Sequence, residues 1–296
     1  MEMKQKKNRT LQDLNFKDNF MFAAVMMDTE IAKGVLERAL GIEVADVQVN
    51  YEKSIIYNPA GKGVRLDVYA KDENNTRFDV EMQVAKEHLE KRSRYYHSQI
   101  DVDILESGED YENLPDVYVI FICDFDPFGE KKYRYTVKNI FQEDERYEYV
   151  DGRHTVFLST VGTNENEVPK ELVAFLKYAG AEAEESRKDY RDEFVSKLQE
   201  SVVKVKSNQG MRERFMTWEE IKKEEYRAGH AEGKAEGKAE LITILLASKF
   251  PISEELSHQI ESINDVAMLD ELFKAAIKAA NIEEFEHCLE NILSKN

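Results

Sequence analysis

Cysteine is nearly absent from this sequence, with two in 296 residues, Cys123 and Cys288. They stand far apart and without metal-ligand spacing, which excludes a disulfide framework and leaves reduced, buried thiols as the expectation. No run of about 18 apolar residues occurs, so no membrane span is expected. The opening MEMKQKKNRT is charged with no apolar stretch behind it, and no signal peptide is read there. Both absences give the expectation of a cytoplasmic protein with no membrane partner. Positive charge is short as well, 41 Lys and Arg against 59 Asp and Glu, for a formal net charge of −18. Such a balance repels polyphosphate at long range and weighs against a nuclease. Local basic clusters survive the sum, at Lys4, Lys6, Lys7 and Arg9 and again at Lys86, Lys91, Arg92 and Arg94. Composition alone reads them first as solvated surface.

What is present suffices for a sizeable core, since 42% of the residues are hydrophobic and 34% charged. NFKDNFMFAAVMMDTEIAKGVLERALG repeats Phe20, Ala24, Met27, Ile31, Val35, Leu36 and Leu40 at helical spacing, and Gly41 is a stop signal. A break is expected near Asp28 and Thr29, with Thr29 as the cap of the second segment. VADVQVNYEKSIIY then reads as strand, closed by a turn over Asn58, Pro59, Gly61 and Gly63.

Two further strands follow, VRLDVYA and RFDVEMQV, joined by the polar KDENNT. Alternation puts Leu66, Val68 and Ala70 on one face of the first and Arg65, Asp67 and Tyr69 on the other. On the second, Phe78, Val80, Met82 and Val84 are expected to face the core, and Asp79, Glu81 and Gln83 to lie opposite. Neighbouring strands thus present carboxylates to one space. That is either a wet sheet face or a metal site.

A helix is expected from Lys86 to about Leu105, with Tyr96, Ile100 and Ile104 along one side. DVYVIFICDFD, from Asp116 to Asp126, is a continuous apolar run suited to a strand buried on both faces. KYRYTVKNI and HTVFLST are further strand candidates, and Pro169 opens the helix KELVAFLKYAG. Helix, three strands, helix and more strands describe a mixed sheet with helices packed on it.

Beyond Gly180 the chain turns to charged helical sequence, and residues 181–240 are read as a linker. Within it Gly229, Gly233 and Gly237 recur every four residues, about 400° of helical turn, so they form a slowly drifting stripe. Lys234 and Lys238 stack likewise, as do Glu232, Glu236 and Glu240, and both the like charges and the glycines weaken a lone helix. The stripe fits either close helix–helix packing in an oligomer or a flexible tether. Residues 241–296 read as a small helical bundle, with turns at Pro251 and near Asn264.

Phosphodiester hydrolysis needs charge neutralisation and a deprotonated nucleophile, and a divalent metal supplies both. Mg²⁺ takes hard oxygen ligands and keeps several waters, so one or two carboxylates are enough. Asp67 and Glu81 on adjacent strands meet that need. Asp79 is either a ligand of a second metal or a solvated or salt-bridged neighbour. Arg92, Arg94 and Tyr95 open the next helix, where guanidinium groups can grip phosphates and rings can stack on bases. Tyr96 also fits the apolar side, which makes packing its expected role. His97 and His154 lack partners at ligand spacing and read as structural.

Residues from about Leu11 to Gly180 resemble the PD-(D/E)XK nuclease family transposases, the Rpn group of recombination-promoting nucleases. The resemblance is carried by NFKDNFMFAAVMMDTEIAKGVLERALGIE, VRLDVYAKDENNTRFDVEMQ, KRSRYYHSQIDVDILESGEDY and LPDVYVIFICDFDPFG, in that order. It implies an α/β, restriction-endonuclease-like core over residues 1–180, with an all-helical C-terminal region behind it. It also implies Mg²⁺-dependent (or Mn²⁺-dependent) cleavage of DNA. By the family pattern Asp67 is the first acid, Glu81 the second and Gln83 stands where Lys is usual, while Leu66 replaces the usual Pro. The metal ligands would be Asp67, Glu81 and the backbone carbonyl of Met82, with Gln83 positioning water and Lys86 a substitute for the missing Lys. Asp13, Phe16 and Lys17 match the opening helix, Phe16 as core and Lys17 undecided. The rival expectation is a non-catalytic, degenerate nuclease fold acting as a binding or assembly module. Either way, the C-terminal helices are the expected route to a homo-oligomer.

Overall fold

A computed structural model describes residues 9–55, 64–105 and 108–294 of the chain. It divides into two compact units, Met1–Arg212 and Glu213–Asn296. The expected turn over Asn58, Pro59, Gly61 and Gly63 lies outside the described residues.

The first unit opens with α1 (Asn19–Met26) and α2 (Thr29–Leu40). The break falls where expected, but the cap is Asp28, whose side chain accepts from the backbone N–H groups of Glu30 and Ile31. An Asp one residue earlier does the work assigned to Thr29, and its charge also suits the helix N-terminus. Gly41 ends α2 in the left-handed conformation, φ 73°, as a glycine there readily does. Phe16 is buried, edge-on to Phe22 and Phe175.

Six strands then build a sheet in the order β1-β2-β3-β4-β8-β5. They are β1 (Val47–Ile55), β2 (Val64–Asp72), β3 (Arg77–Gln83), β4 (Val117–Cys123), β5 (Arg134–Val137) and β8 (Arg153–Ser159). The pairs β3/β4 and β4/β8 are parallel and the others antiparallel, so the sheet is mixed as expected. A separate two-stranded ribbon, β6 (Ile140–Phe141) with β7 (Asp144–Glu148), lies between β5 and β8 in the chain.

Helix α3 (Leu89–Ile104) covers one face of the sheet, where Leu89 and Ile100 join Val117, Val119, Phe121 and Cys123 in one core cluster. The alternate residues Phe78, Val80, Met82, Ile120 and Ile122 are buried too, on the face that α1 and α2 cover. Behind these two pack α4 (Lys170–Ala179) and α5 (Glu193–Ser207). Helix α5 lies in the span read as linker, yet it buries Phe194, Val195, Leu198, Val202 and Val205 in this unit. Val84, expected on the core face, is exposed, because β3 stops at Gln83.

The long helix α6 (Gln209–Lys249) runs without a break through the glycine repeat, and from Glu213 onward it belongs to the second unit. A Cβ at Gly229, Gly233 or Gly237 would meet nothing within 4 Å. Ala235, Ala239, Ile242 and Leu246 turn instead into a core shared with α7 (Glu254–Glu261), α8 (Val266–Lys278) and α9 (Ile282–Leu293). The C-terminal region is all helical, and its core begins at Ala235, ahead of residue 241. Lys249 ties it, donating from Nζ to the carbonyls of Ala276, Ile277 and Ala279 at the end of α8. Cys123 is buried, and burial pushes its thiol up to about 12; Cys288 is only partly buried, not fully so as expected.

Candidate metal and nucleic-acid site

The ladder between β2 and β3 stops at the Val68–Val80 pair. Beyond it β2 continues along β1, with Leu66 opposite Lys53 and Arg65 opposite Ser54. Strand β3 continues along β4, with Glu81 opposite Phe121 and Gln83 opposite Cys123. The two strands therefore part like a fork. Backbone groups that leave a ladder need other partners, and here the Asp67 N–H donates to Glu81 Oε1 at 2.9 Å.

The fork opens a cleft of about 350 Å³ lined by Asp67, Glu81, Met82 and Gln83, together with Asn19, Arg65, Arg92 and Tyr96. All the residues expected at the metal thus border one space. The expectation that Asp79, Glu81 and Gln83 lie away from the core does not hold, because α3 roofs their face and all three are buried. Alternation along a strand separates two faces without saying what covers either one.

Burial is costly for a carboxylate. The Glu81 carboxyl is pushed up to about 8, first by burial and then by the charge of Asp67, against the pull of the Asp67 N–H, Arg92 and Arg65. Its Oε2 accepts from Gln83 Nε2 and from Arg92 Nη2, both at 3.2 Å. Asp79 is raised well above the ordinary Asp range, first by burial and then by the charges of Glu81 and Asp67. No donor reaches either of its carboxylate oxygens. Asp79 is therefore neither solvated nor salt-bridged, contrary to one expectation for it.

Arg92 is the hub of the site. Besides Glu81 it donates from Nη1 to Gln83 Oε1 at 2.7 Å and to Glu87 Oε2 at 3.3 Å, and from Nη2 to the Tyr96 hydroxyl at 2.8 Å. The expected phosphate contact thus points into the acids instead. Tyr96, one turn along α3, packs on Phe121 as expected and also accepts from Arg92. The i, i+4 spacing of Arg92 and Tyr96 in the sequence signals this pairing. Sequence reading had nothing to assign Asn19, the first residue of α1, to the cleft.

A second cleft of about 860 Å³ adjoins the first and shares Arg65, Glu87, Arg92 and Tyr96 with it. Lys86, His88, Lys91, Arg94 and Tyr95 also line it. Five cationic side chains meet here in an acidic chain. Lys86 stands over the Phe125 ring and lines this second cleft, whereas the lining of the first cleft does not include it. Lys17 is tied to Asp124 Oδ2 and Glu182 Oε1, both at 2.8 Å, a structural clamp. His97 bonds the Thr155 hydroxyl at 2.9 Å, and burial lowers its pKa to about 3, so it stays neutral and structural.

Among the described residues no group of three or more His, Cys, Asp or Glu is arranged to hold a metal ion. A cation in the fork would take two carboxylates and complete its shell with carbonyl and water oxygens, a donor set that suits Mg²⁺ or Mn²⁺ better than Zn²⁺. Mutually repelling acids under low dielectric fit such a cation. No described helix is long and apolar enough to cross a membrane.

A profile of the PD-(D/E)XK nuclease family transposases matches residues 10–235. No curated protein and no solved structure matches the chain.

Proposed function

From the premise that this chain belongs to the PD-(D/E)XK nuclease family transposases, we propose that it is a DNA endonuclease of the recombination-promoting kind, dependent on Mg²⁺ or Mn²⁺. The observation that carries the reading is the fork, which brings Asp67 and Glu81 to one cleft beside five cations. Asp67, Glu81 and the Met82 carbonyl would hold the metal, which supplies Lewis-acid charge neutralisation and lowers the pKa of bound water. Gln83 takes the place of the usual Lys and orients the attacking water by hydrogen bonding, without a charge of its own. The basic cleft receives the duplex backbone, with Arg94 and Lys91 on phosphates and Tyr95 beside them. Cutting both strands calls for two such sites, and the C-terminal helices are the proposed means of pairing two chains.

One observation favours a second reading. Arg92 is already paired with Glu81, and with Gln83 in place of Lys this is also what a retired nuclease serving as a binding module would display. Supercoiled plasmid incubated with Mn²⁺ or Mg²⁺ separates the two. Nicking that requires metal and vanishes in Asp67→Ala and Glu81→Ala is the expected outcome. Intact plasmid with every metal, or equal cleavage by the variants, gives the protein to the binding-module reading.

A further inference from the structure

Arg92 borders both clefts, the acidic fork and the basic groove beside it. Its guanidinium is engaged by four partners, Glu81, Gln83, Glu87 and Tyr96. Two of these, Glu81 and Gln83, are the side chains to which the proposed function assigns the metal and the water. A guanidinium and a divalent cation cannot share Glu81 Oε2 without strong mutual repulsion, and a carboxylate oxygen has few lone-pair directions to offer. Yet Arg92 is not sealed in. Its side chain is 25% exposed, while Glu81 is 2% exposed, so the arginine can move where the acid cannot. Arg92 already lines the groove that Lys91 and Arg94 also line.

We infer that Arg92 is a positioning residue that occupies the acid pair in the metal-free protein and, displaced by a divalent cation, swings into the basic groove to meet the phosphate backbone. The inference rests on the metal-dependent reading above. In the metal-free state Arg92 offsets the repulsion among the acids and fixes Glu81 and Gln83 in place. Once a cation neutralises the acids, the guanidinium loses its strongest partner and becomes one more positive charge for DNA. Metal and duplex then strengthen each other's binding through a single side chain, and by linkage the factor must be the same in both directions.

Three full-length proteins test this: wild type, Arg92→Gln and Tyr96→Phe. The last keeps the arginine's charge and the ring's packing but removes one of its anchors. Calorimetric titration with Mn²⁺ is expected to show binding about tenfold tighter in Arg92→Gln and an intermediate gain in Tyr96→Phe. Anisotropy of a labelled duplex with and without Ca²⁺ is the second readout, which a simple change of local charge would not move in the same way. Ca²⁺ should raise duplex affinity in wild type and raise it about threefold or more less in Arg92→Gln. Mn²⁺ binding that is unchanged or weaker in Arg92→Gln overturns the inference, as does an equal Ca²⁺-dependent gain in both proteins. No Mn²⁺ binding by any of the three overturns the metal-dependent reading itself, and this inference with it. Circular dichroism confirms folding, and Tyr96→Phe still decides the matter if Arg92→Gln does not fold.

Discussion

Asp79 is a carboxylic acid enclosed by protein with no donor to satisfy it. Its raised pKa and that of Glu81 mean that the folded chain keeps protons that the unfolded chain has already released. Where the native state binds more protons, stability falls as pH rises. For Glu81 that window runs from the ordinary value of 4.5 to about 8. The melting temperature of metal-free protein is therefore expected to fall between these limits, and Mn²⁺ should protect more at the alkaline end, where the acids are ionised. Asp79→Asn should flatten the pH profile and stabilise the protein at pH 8 by about 1–3 kcal/mol, as measured by denaturant unfolding. That Asp67, Glu81 and Gln83 share one cleft was readable because they fall on facing positions of two adjacent strands. What covers them was not, since the roof over β3 comes from α3, and a strand's own letters do not record its neighbours. For the same reason the target of Arg92 was hidden; its charge suggested phosphate, and packing turned it toward the acids.

Among the elements, α5 shows why the end of the first unit lay beyond sequence reading. Its charged residues gave it the look of a linker, whereas its attachment depends on a gap in another helix. Gly34 in α2 leaves room for Phe194, and a Cβ there would come within 2.1 Å of the ring, over which the Arg38 guanidinium also lies at 3.9 Å. Gly34→Ala should thus force α5 away and cost about 3 kcal/mol in thermal or denaturant unfolding. The opposite sign is expected in α6. Since nothing approaches Gly229, Gly233 or Gly237, replacing all three by Ala should stabilise the helix by about 1 kcal/mol per position, read by circular dichroism on heating. If the stripe instead packs against a second chain, the same variant will dissociate in sedimentation, and the helix-stabilising account is wrong. The strands and helices themselves were legible because periodicity is local. β4 announced itself by a run of apolar residues, and α2 by its glycine stop.

At the scale of the molecule, an acidic chain carries a basic groove. Net charge of −18 weighed against a nuclease, but it is a sum over all residues, and the five cations beside the fork escape it. If the groove supplies the phosphate contacts, the slope of log K against log salt for duplex binding should be no steeper than about −4.5. Lys86→Glu with Lys91→Glu should make that slope shallower by about 2 while leaving Mn²⁺ titration of the fork nearly unchanged. If the groove takes the duplex as proposed, it also bears on how the protein would meet DNA. With a net charge of −18 repelling the polyanion at long range, the protein would gain little hold on bulk DNA outside that groove. Its encounters would then be brief collisions of which only those presenting the groove last, so abundant irrelevant sequence would occupy little of the protein at any moment.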